Sequence, residues 1–350
     1  MHLFVDISAH GLGHLAISAP VIAALARHHP RLRLTIRSGL PQATLARRIR
    51  EPFAHIATAS DFGFVMLDAT QVDLAASAAA YRTAHADWRR RVADGAALLK
   101  RLAPDLVFSN VSYLPLAGAA EAGIPAAALC SLNWAELFAH FFAGEAWAAK
   151  IHGEMLAAYR SASVFLRTTP AMAMDELGNC EEIGIIAARG ERHELGGGRH
   201  ARNVLVAMGG IRHRLPVEDW PRVPGLRWLV PGDWQCRHPD AVALESFGLG
   251  FTDLLASVDA VLGKPGYGTF SEAVCNAVPV LYQRRADWPE QQCLIDFLHA
   301  QGRGREIPAA LLTTGRLADE VDALLATPPR TPPAACGADA AARRLLALLR

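Results

Sequence analysis

The chain reads as an α/β protein built from two doubly wound, Rossmann-like halves facing a cleft. Three observations predict this. Short apolar runs alternate with longer helical patterns almost throughout, as parallel βαβ units require. The alternation restarts near the middle. And 350 residues exceed what one ordinary core holds. The expected division is 1–165, 166–335 and a terminal helix in 336–350 that packs back on the first half.

Taken in order, residues 3–7 form the first strand, followed by the turn His10-Gly11-Leu12-Gly13-His14 and a helix over 16–26. A second strand covers 32–36, with Arg47-Arg48 on the helix after it. The Ala-rich stretch 74–102 is helical, 105–108 is a buried strand ended by Ser109-Asn110, and 124–129 is another strand. From 134 to 159 the pattern is helical and carries Trp134, Phe138, Phe141, Phe142 and Trp147. That spacing fits core packing, with an apolar acceptor groove as the alternative. The strand 163–166 leads to Thr168-Thr169-Pro170, taken as the crossing between halves. After the loop Gly196-Gly197-Gly198, a strand runs from Asn203 into the double turn Gly209-Gly210. Further strands are expected at 226–230, 260–262 and 279–282, and helices at 251–256, 268–277, 290–300 and 339–349. Residues 327–333, rich in Pro, form a stiff extended linker.

A net charge of +1 argues against a dedicated nucleic-acid binder, which usually carries a strong basic excess. The clusters Arg47-Arg48-Ile49-Arg50 and Arg89-Arg90-Arg91 fit solvated helix faces, with an anionic-partner patch as the alternative. The six cysteines show no CxxC spacing, so neither a zinc site nor a disulfide framework is indicated. The start lacks the basic and apolar regions of a signal peptide, and no apolar run reaches ~18 residues. The expected location is the cytoplasm, with peripheral contact at the inner membrane face as a second option.

In doubly wound sheets ligands sit beyond the carboxyl ends of the strands, so the residues there carry the functional reading. After the strand at 260–262 comes Gly263-Lys264-Pro265-Gly266-Tyr267-Gly268-Thr269-Phe270-Ser271-Glu272. Glycines let the backbone approach a ligand, and a helix starting near Gly268-Thr269 aims unpaired N–H groups at an anion such as a diphosphate. Lys264 adds a point charge. Glu272, one turn into the helix, is placed to accept from ribose hydroxyls. Gln291-Gln292, after a second strand-end loop, offers paired amides to sugar hydroxyls. Plain turn glycines, a surface acid and a polar helix face explain the same residues one at a time.

In combination, Gly268-Thr269, Ser271-Glu272, Pro279 and Gln291-Gln292 resemble the donor-binding region of GT-B glycosyltransferases. The segment is most similar to the MurG family, the lipid-linked N-acetylglucosamine transferases of peptidoglycan synthesis. The resemblance implies that Glu272 binds the uridine ribose, Gly268 with Thr269 meets the phosphates, and Gln291 with Gln292 holds the sugar. The stretch is also similar to the plant secondary-product transferase box, where a histidine stands in the place of Lys264. Residues 264–272 look like the amino-terminal part of plant arabinokinases as well.

The first turn has Gly11 and Gly13 but no third glycine, and no acidic residue closes the second strand, so a dinucleotide-binding dehydrogenase fits poorly. His14 matches the histidine ending the corresponding loop of the MurG family, and a neutral imidazole there can deprotonate an acceptor hydroxyl. A helix cap or structural residue is the alternative, and His10 supports the loop. Gly13 would contact the diphosphate. Gly209 and Gly210 match the second phosphate-facing loop of that family, or make a plain tight turn.

The expected activity is transfer of a sugar from a nucleoside-diphosphate donor, uridine-based by resemblance, to an unknown acceptor hydroxyl. No cofactor and no metal are expected, since the Asp-x-Asp pattern of metal-dependent transferases is lacking. Two other readings use the same residues: a nucleotide-sugar hydrolase in which His14 activates water, and a non-catalytic nucleotide-sugar sensor.

Overall fold

The computed structural model describes residues 1–196, 202–211 and 213–349; of the expected loop Gly196-Gly197-Gly198, the last two residues lie outside these. Among the described residues the strands form two all-parallel sheets. The first comprises β1 (His2–Ile7), β2 (Arg33–Arg37), β3 (Phe53–Ile56), β4 (Leu106–Asn110), β5 (Ala126–Cys130), β6 (Val164–Thr168) and β7 (Cys180–Gly184), in the order β3-β2-β1-β4-β5-β6-β7. The second comprises β8 (Arg202–Ala207), β9 (Leu226–Val230), β10 (Ala241–Ala243), β11 (Ala260–Gly263), β12 (Val280–Tyr282) and β13 (Gly304–Glu306), in the order β10-β9-β8-β11-β12-β13. In each sheet the order reverses beside the first strand, β1 or β8, and that reversal opens a crevice at the carboxyl ends.

Helices connect and cover the first sheet: α1 (Gly13–His28), α2 (Gln42–Ala46), α3 (Leu74–Ala86), α4 (Trp88–Leu102), α5 (Leu114–Ala122), α6 (Trp134–Phe142) and α7 (Ala148–Arg160). The second sheet carries α8 (Phe251–Ser257), α9 (Tyr267–Cys275), α10 (Gln291–Gln301), α11 (Ala309–Thr314) and α12 (Ala318–Leu325), and α13 (Gly337–Ala347) ends the chain. Arg47-Arg48, expected on a helix, lie just past the end of α2.

Burial follows the pleat. In β8, Val204 and Val206 face one apolar cluster while Leu205 faces the other, because both faces of a parallel sheet are covered. β1, β4 and β5 are buried at every position, which is why they read as continuous apolar runs. The aromatic set at 134–147 is core: Trp134, Phe138 and Phe142 are buried among Tyr81, Phe64 and each other.

The boundary expected at 165/166 falls inside β6, and the structure moves it. β6 pairs with β5, and β7 with β6, so the first sheet extends to Gly184. β7 was invisible to the apolar pattern because its sequence, CEEIG, is largely polar, as suits an edge strand. The terminal helix does return to the first half. α13 packs on α1 and β7, Gly337 N–H donates to Ile185 C=O at 2.8 Å, and Arg344 forks onto Glu181. Among the described residues no helix is long and apolar enough to cross a membrane.

Candidate active site

The carboxyl ends of the two sheets face each other across a cleft of about 100 Å³. Five strand ends deliver its walls, with Ser131 and Leu132 coming from the end of β5. The loop after β1 supplies His10 to His14, the loop after β8 supplies Gly209 and Gly210, the loop after β11 supplies Lys264 to Thr269, and the loop after β12 supplies Arg285, Trp288 and Glu290. Of the residues expected from sequence, Gly13, His14, Gly209, Gly210, Lys264, Gly266, Gly268 and Thr269 therefore come together.

Two glycines show why the loops need them. Gly209 sits at φ +89°, a left-handed conformation that disfavours side chains, and a Cβ on Gly210 would lie 2.7 Å from the Leu12 backbone N. The two glycine loops thus touch across the cleft. α1 and α9 both begin here with no side-chain cap, so their first N–H groups point toward the space between the halves.

His14 is not a helix cap; the N-cap of α1 is Leu12. Its Nδ1 lies 2.9 Å from Asn110 Oδ1, while Asn110 Nδ2 donates to the His14 carbonyl at 3.2 Å. The second bond orients the amide, so Oδ1 faces Nδ1 as an acceptor and Nδ1 must carry the proton. Nε2 is then the basic nitrogen of a neutral ring. Burial lowers the pKa of His14, against the opposing charge of Asp61 and Glu290 and the Asn110 bond. Asp61, whose charge acts on this ring, accepts from Ser8 Oγ at 2.8 Å and Trp134 Nε1 at 2.6 Å, and burial raises its own pKa. The arrangement is an imidazole held neutral, in one tautomer, on one wall of the cleft.

The opposite wall is cationic. Burial, then repulsion from Arg285, pushes Lys264 down to about 7, with Glu290 opposing. His10 is pushed well below the ordinary histidine value by burial and by His14, Arg285 and Lys264. An anion between Gly209 and Lys264 would restore the lysine's charge, so binding takes up a proton. The sign follows: charged Lys264 is fully present below about pH 7 and is lost above it, with Arg285, Glu290 and His10 as the charged or titratable groups facing it. Pyrophosphate affinity measured by calorimetry should fall by up to about tenfold per pH unit above 7. A flat profile from pH 6.5 to 8.5 would remove Lys264 from the anion site.

Three expected donor ligands are elsewhere. Glu272 is 1% exposed and lies outside the cleft lining. Its carboxylate receives Arg48 Nη1 at 2.5 Å and Nη2 at 3.2 Å, a two-pronged ion pair between the halves. Arg48 also donates to Thr252 Oγ1 at 3.0 Å and lies over the Phe251 ring. Gln291 accepts from Arg285 N–H at 3.0 Å and donates to Arg285 C=O at 3.3 Å, so its amide holds a loop. Gln292 is paired with Arg284 and Asp296. None of the three presents its polar end to the cleft, because each has a closer partner within the chain.

The residues that sequence reasoning passed over are Asn110, Asp61, Ser131, Arg285, Trp288 and Glu290. Asn110 and Ser131 stand at strand ends, and a polar pair closing an apolar strand was a usable signal for Asn110. Glu290 accepts from Ser131 Oγ at 2.5 Å and Trp288 Nε1 at 3.1 Å, tying the loop after β12 to the end of β5. That link depends on partners 159 residues apart, which spacing does not reveal.

No family model matches the chain. It is 24% identical over 312 residues to an L-arabinokinase of Arabidopsis thaliana, which covers 86% of this chain and 30% of that protein. The chain therefore spans under a third of that curated relative. Among solved structures, a spinosyn forosaminyltransferase superposes with a TM-score of 0.62 at 14% identity, covering 100% of this chain and 94% of the other. A spinosyn rhamnosyltransferase complexed with thymidine diphosphate gives 0.56 at 17% identity, covering 100% and 96%. These likenesses show the fold: two Rossmann-like domains facing a cleft, the GT-B arrangement of glycosyltransferases.

Proposed function

We propose that the protein is a glycosyltransferase that moves a sugar from a nucleoside-diphosphate donor to an acceptor hydroxyl. The observation that carries this is the pairing of a neutral, tautomer-locked His14 with a glycine-lined cationic wall across one cleft. The thymidine diphosphate in the rhamnosyltransferase neighbour supports a diphosphate in a cleft of this fold. The MurG resemblance favours uridine as the base, and the neighbour favours thymidine.

In this reading His14 Nε2 takes the acceptor hydroxyl proton as that oxygen attacks the anomeric carbon. The new C–O bond forms as the bond to the diphosphate oxygen breaks, and the diphosphate leaves with the electron pair. Lys264 and the N-termini of α1 and α9 receive the charge, so no metal is invoked. Attack of that oxygen on the face opposite the leaving diphosphate inverts the anomeric centre. The acceptor stays unassigned, and the proposed location is the cytoplasm, including the inner membrane face.

A thermal-shift screen of nucleoside-diphosphate sugars tests the donor assignment. Binding at a hundred times Kd stabilises by about 2.7 kcal/mol, enough for a rise of several degrees. If neither uridine nor thymidine diphosphates raise the melting temperature, the donor reading is wrong. Nucleoside-diphosphate release without any added acceptor would replace transfer by hydrolysis.

A further inference from the structure

Arg285 is a buried cation with an unpartnered edge. It is 6% exposed, and its Nε and Nη2 have no hydrogen-bond partner among the described residues. These two nitrogens form the side-on edge of the guanidinium, the edge that matches both oxygens of a carboxylate. An unpaired buried charge is costly, so such an edge calls for an explanation.

The edge is also held in place. The Arg285 guanidinium carbon stacks 3.7 Å from the Trp288 ring centroid, and the Gln291 amide grips the Arg285 main chain on both sides. That gives Gln291 a positioning task in place of the sugar contact expected of it. The nearby Glu290 has its oxygens engaged by Ser131 and Trp288 and forms no ion pair with Arg285.

Arg285 and Lys264 line the same cleft from different loops. Lys264 stands on the loop after β11, against Gly209. Arg285 stands on the loop after β12, with Trp288, whose ring stacks on His10, the neighbour of the proposed base. Glu290, on the same loop, is close enough to His14 to act on its charge. Through Trp288 and His10 the Arg285 edge adjoins the His14 side of the cleft, where the proposed transfer puts the glycosyl unit.

We propose that the Nε/Nη2 edge of Arg285 is an oxyanion seat that reads a carboxylate on the transferred sugar, making the donor class a nucleoside-diphosphate uronate. This rests on the donor reading above. The free edge would accept the carboxylate side-on, and Trp288 would keep water from competing.

Calorimetric titration of UDP, UDP-glucose and UDP-glucuronate into the wild-type protein and into Arg285→Gln and Arg285→Lys tests it. Wild type should prefer UDP-glucuronate over UDP-glucose by about tenfold or more, the scale of a charge-assisted bond. Both variants should lose that preference; Arg285→Lys, which retains the charge without the fork, should keep UDP affinity within about twofold and guards against a folding defect, while Arg285→Gln, which also lifts the repulsion on Lys264, should bind UDP no more weakly than wild type. Equal weakening of UDP by both variants would overturn the inference by placing Arg285 at the diphosphate. Equal wild-type affinity for the two sugars would overturn it also. Failure of UDP itself to bind would instead strike the donor reading.

Discussion

Replacing His14 with Ala lowers turnover by about 10²–10⁴-fold, the usual contribution of a positioned general base, and leaves donor affinity nearly unchanged. The reason is geometric. Nδ1 is committed to Asn110 at 2.9 Å, so the ring enters the reaction through Nε2 alone. Asn110→Ala should give a smaller loss, since it frees the tautomer but keeps the base. The pH profile adds a signature that a structural role would not move. His14 works when neutral, which burial favours down to a pH below its ordinary 6.5. Lys264 works when charged, which is lost above about 7. The kcat/KM profile should therefore be a narrow bell, rising below pH 6.5 and falling above about 7, and His14→Ala should lose the acid limb only. Steady-state kinetics with KM resolved from kcat decides it: a variant that loses affinity and keeps turnover makes His14 a binding residue.

Much of the fold was legible because parallel strands buried on both faces have little choice of sequence. β1, β4, β5 and β11 stand out as apolar runs between glycines and polar strand ends. The elements that escaped are short or polar, such as β7 with its two glutamates and the three-residue β13. α5 was missed too, with Pro115 in its first turn and Gly118 in its middle. The site divides the same way. Lys264 and the glycines were readable because their task is local: a turn at a strand end needs them whatever the rest of the chain does. Glu272, Gln291 and Gln292 fall outside the cleft lining because a motif states which residue stands where, not which partner reaches it. Arg48 lies 224 residues from Glu272, and nothing near either residue announces the other. Arg285 carried no signal for the same reason, since its significance is the absence of a partner.

Replacing Glu272 with Ala destabilises the ligand-free protein by about 3–5 kcal/mol, the usual cost of removing one partner of a buried ion pair. The side chain of Glu272 is 2% exposed and that of Arg48 21%, so the arginine can recover some water and the lower end of that range is expected. Arg48 would keep Thr252 and Phe251 but lose its only described carboxylate. The melting temperature should fall by ~2–4 °C for each kcal/mol. The double variant Arg48→Met/Glu272→Met should recover most of the loss, because apolar replacement of both partners removes the uncompensated charge. The resemblance to MurG makes the opposite forecast: a ribose-binding glutamate would leave the melting temperature of the free protein alone and weaken nucleoside diphosphates selectively over pyrophosphate. Measuring both quantities in the single and double variants separates a carboxylate that joins the two halves from one that grips the donor. If Glu272→Ala melts with wild type yet loses UDP, Arg48 is only a placeholder for the ribose. If it melts low and binds pyrophosphate and UDP alike, the two halves are held by this pair, and recognition of the donor rests on the cleft that His14 and Lys264 share.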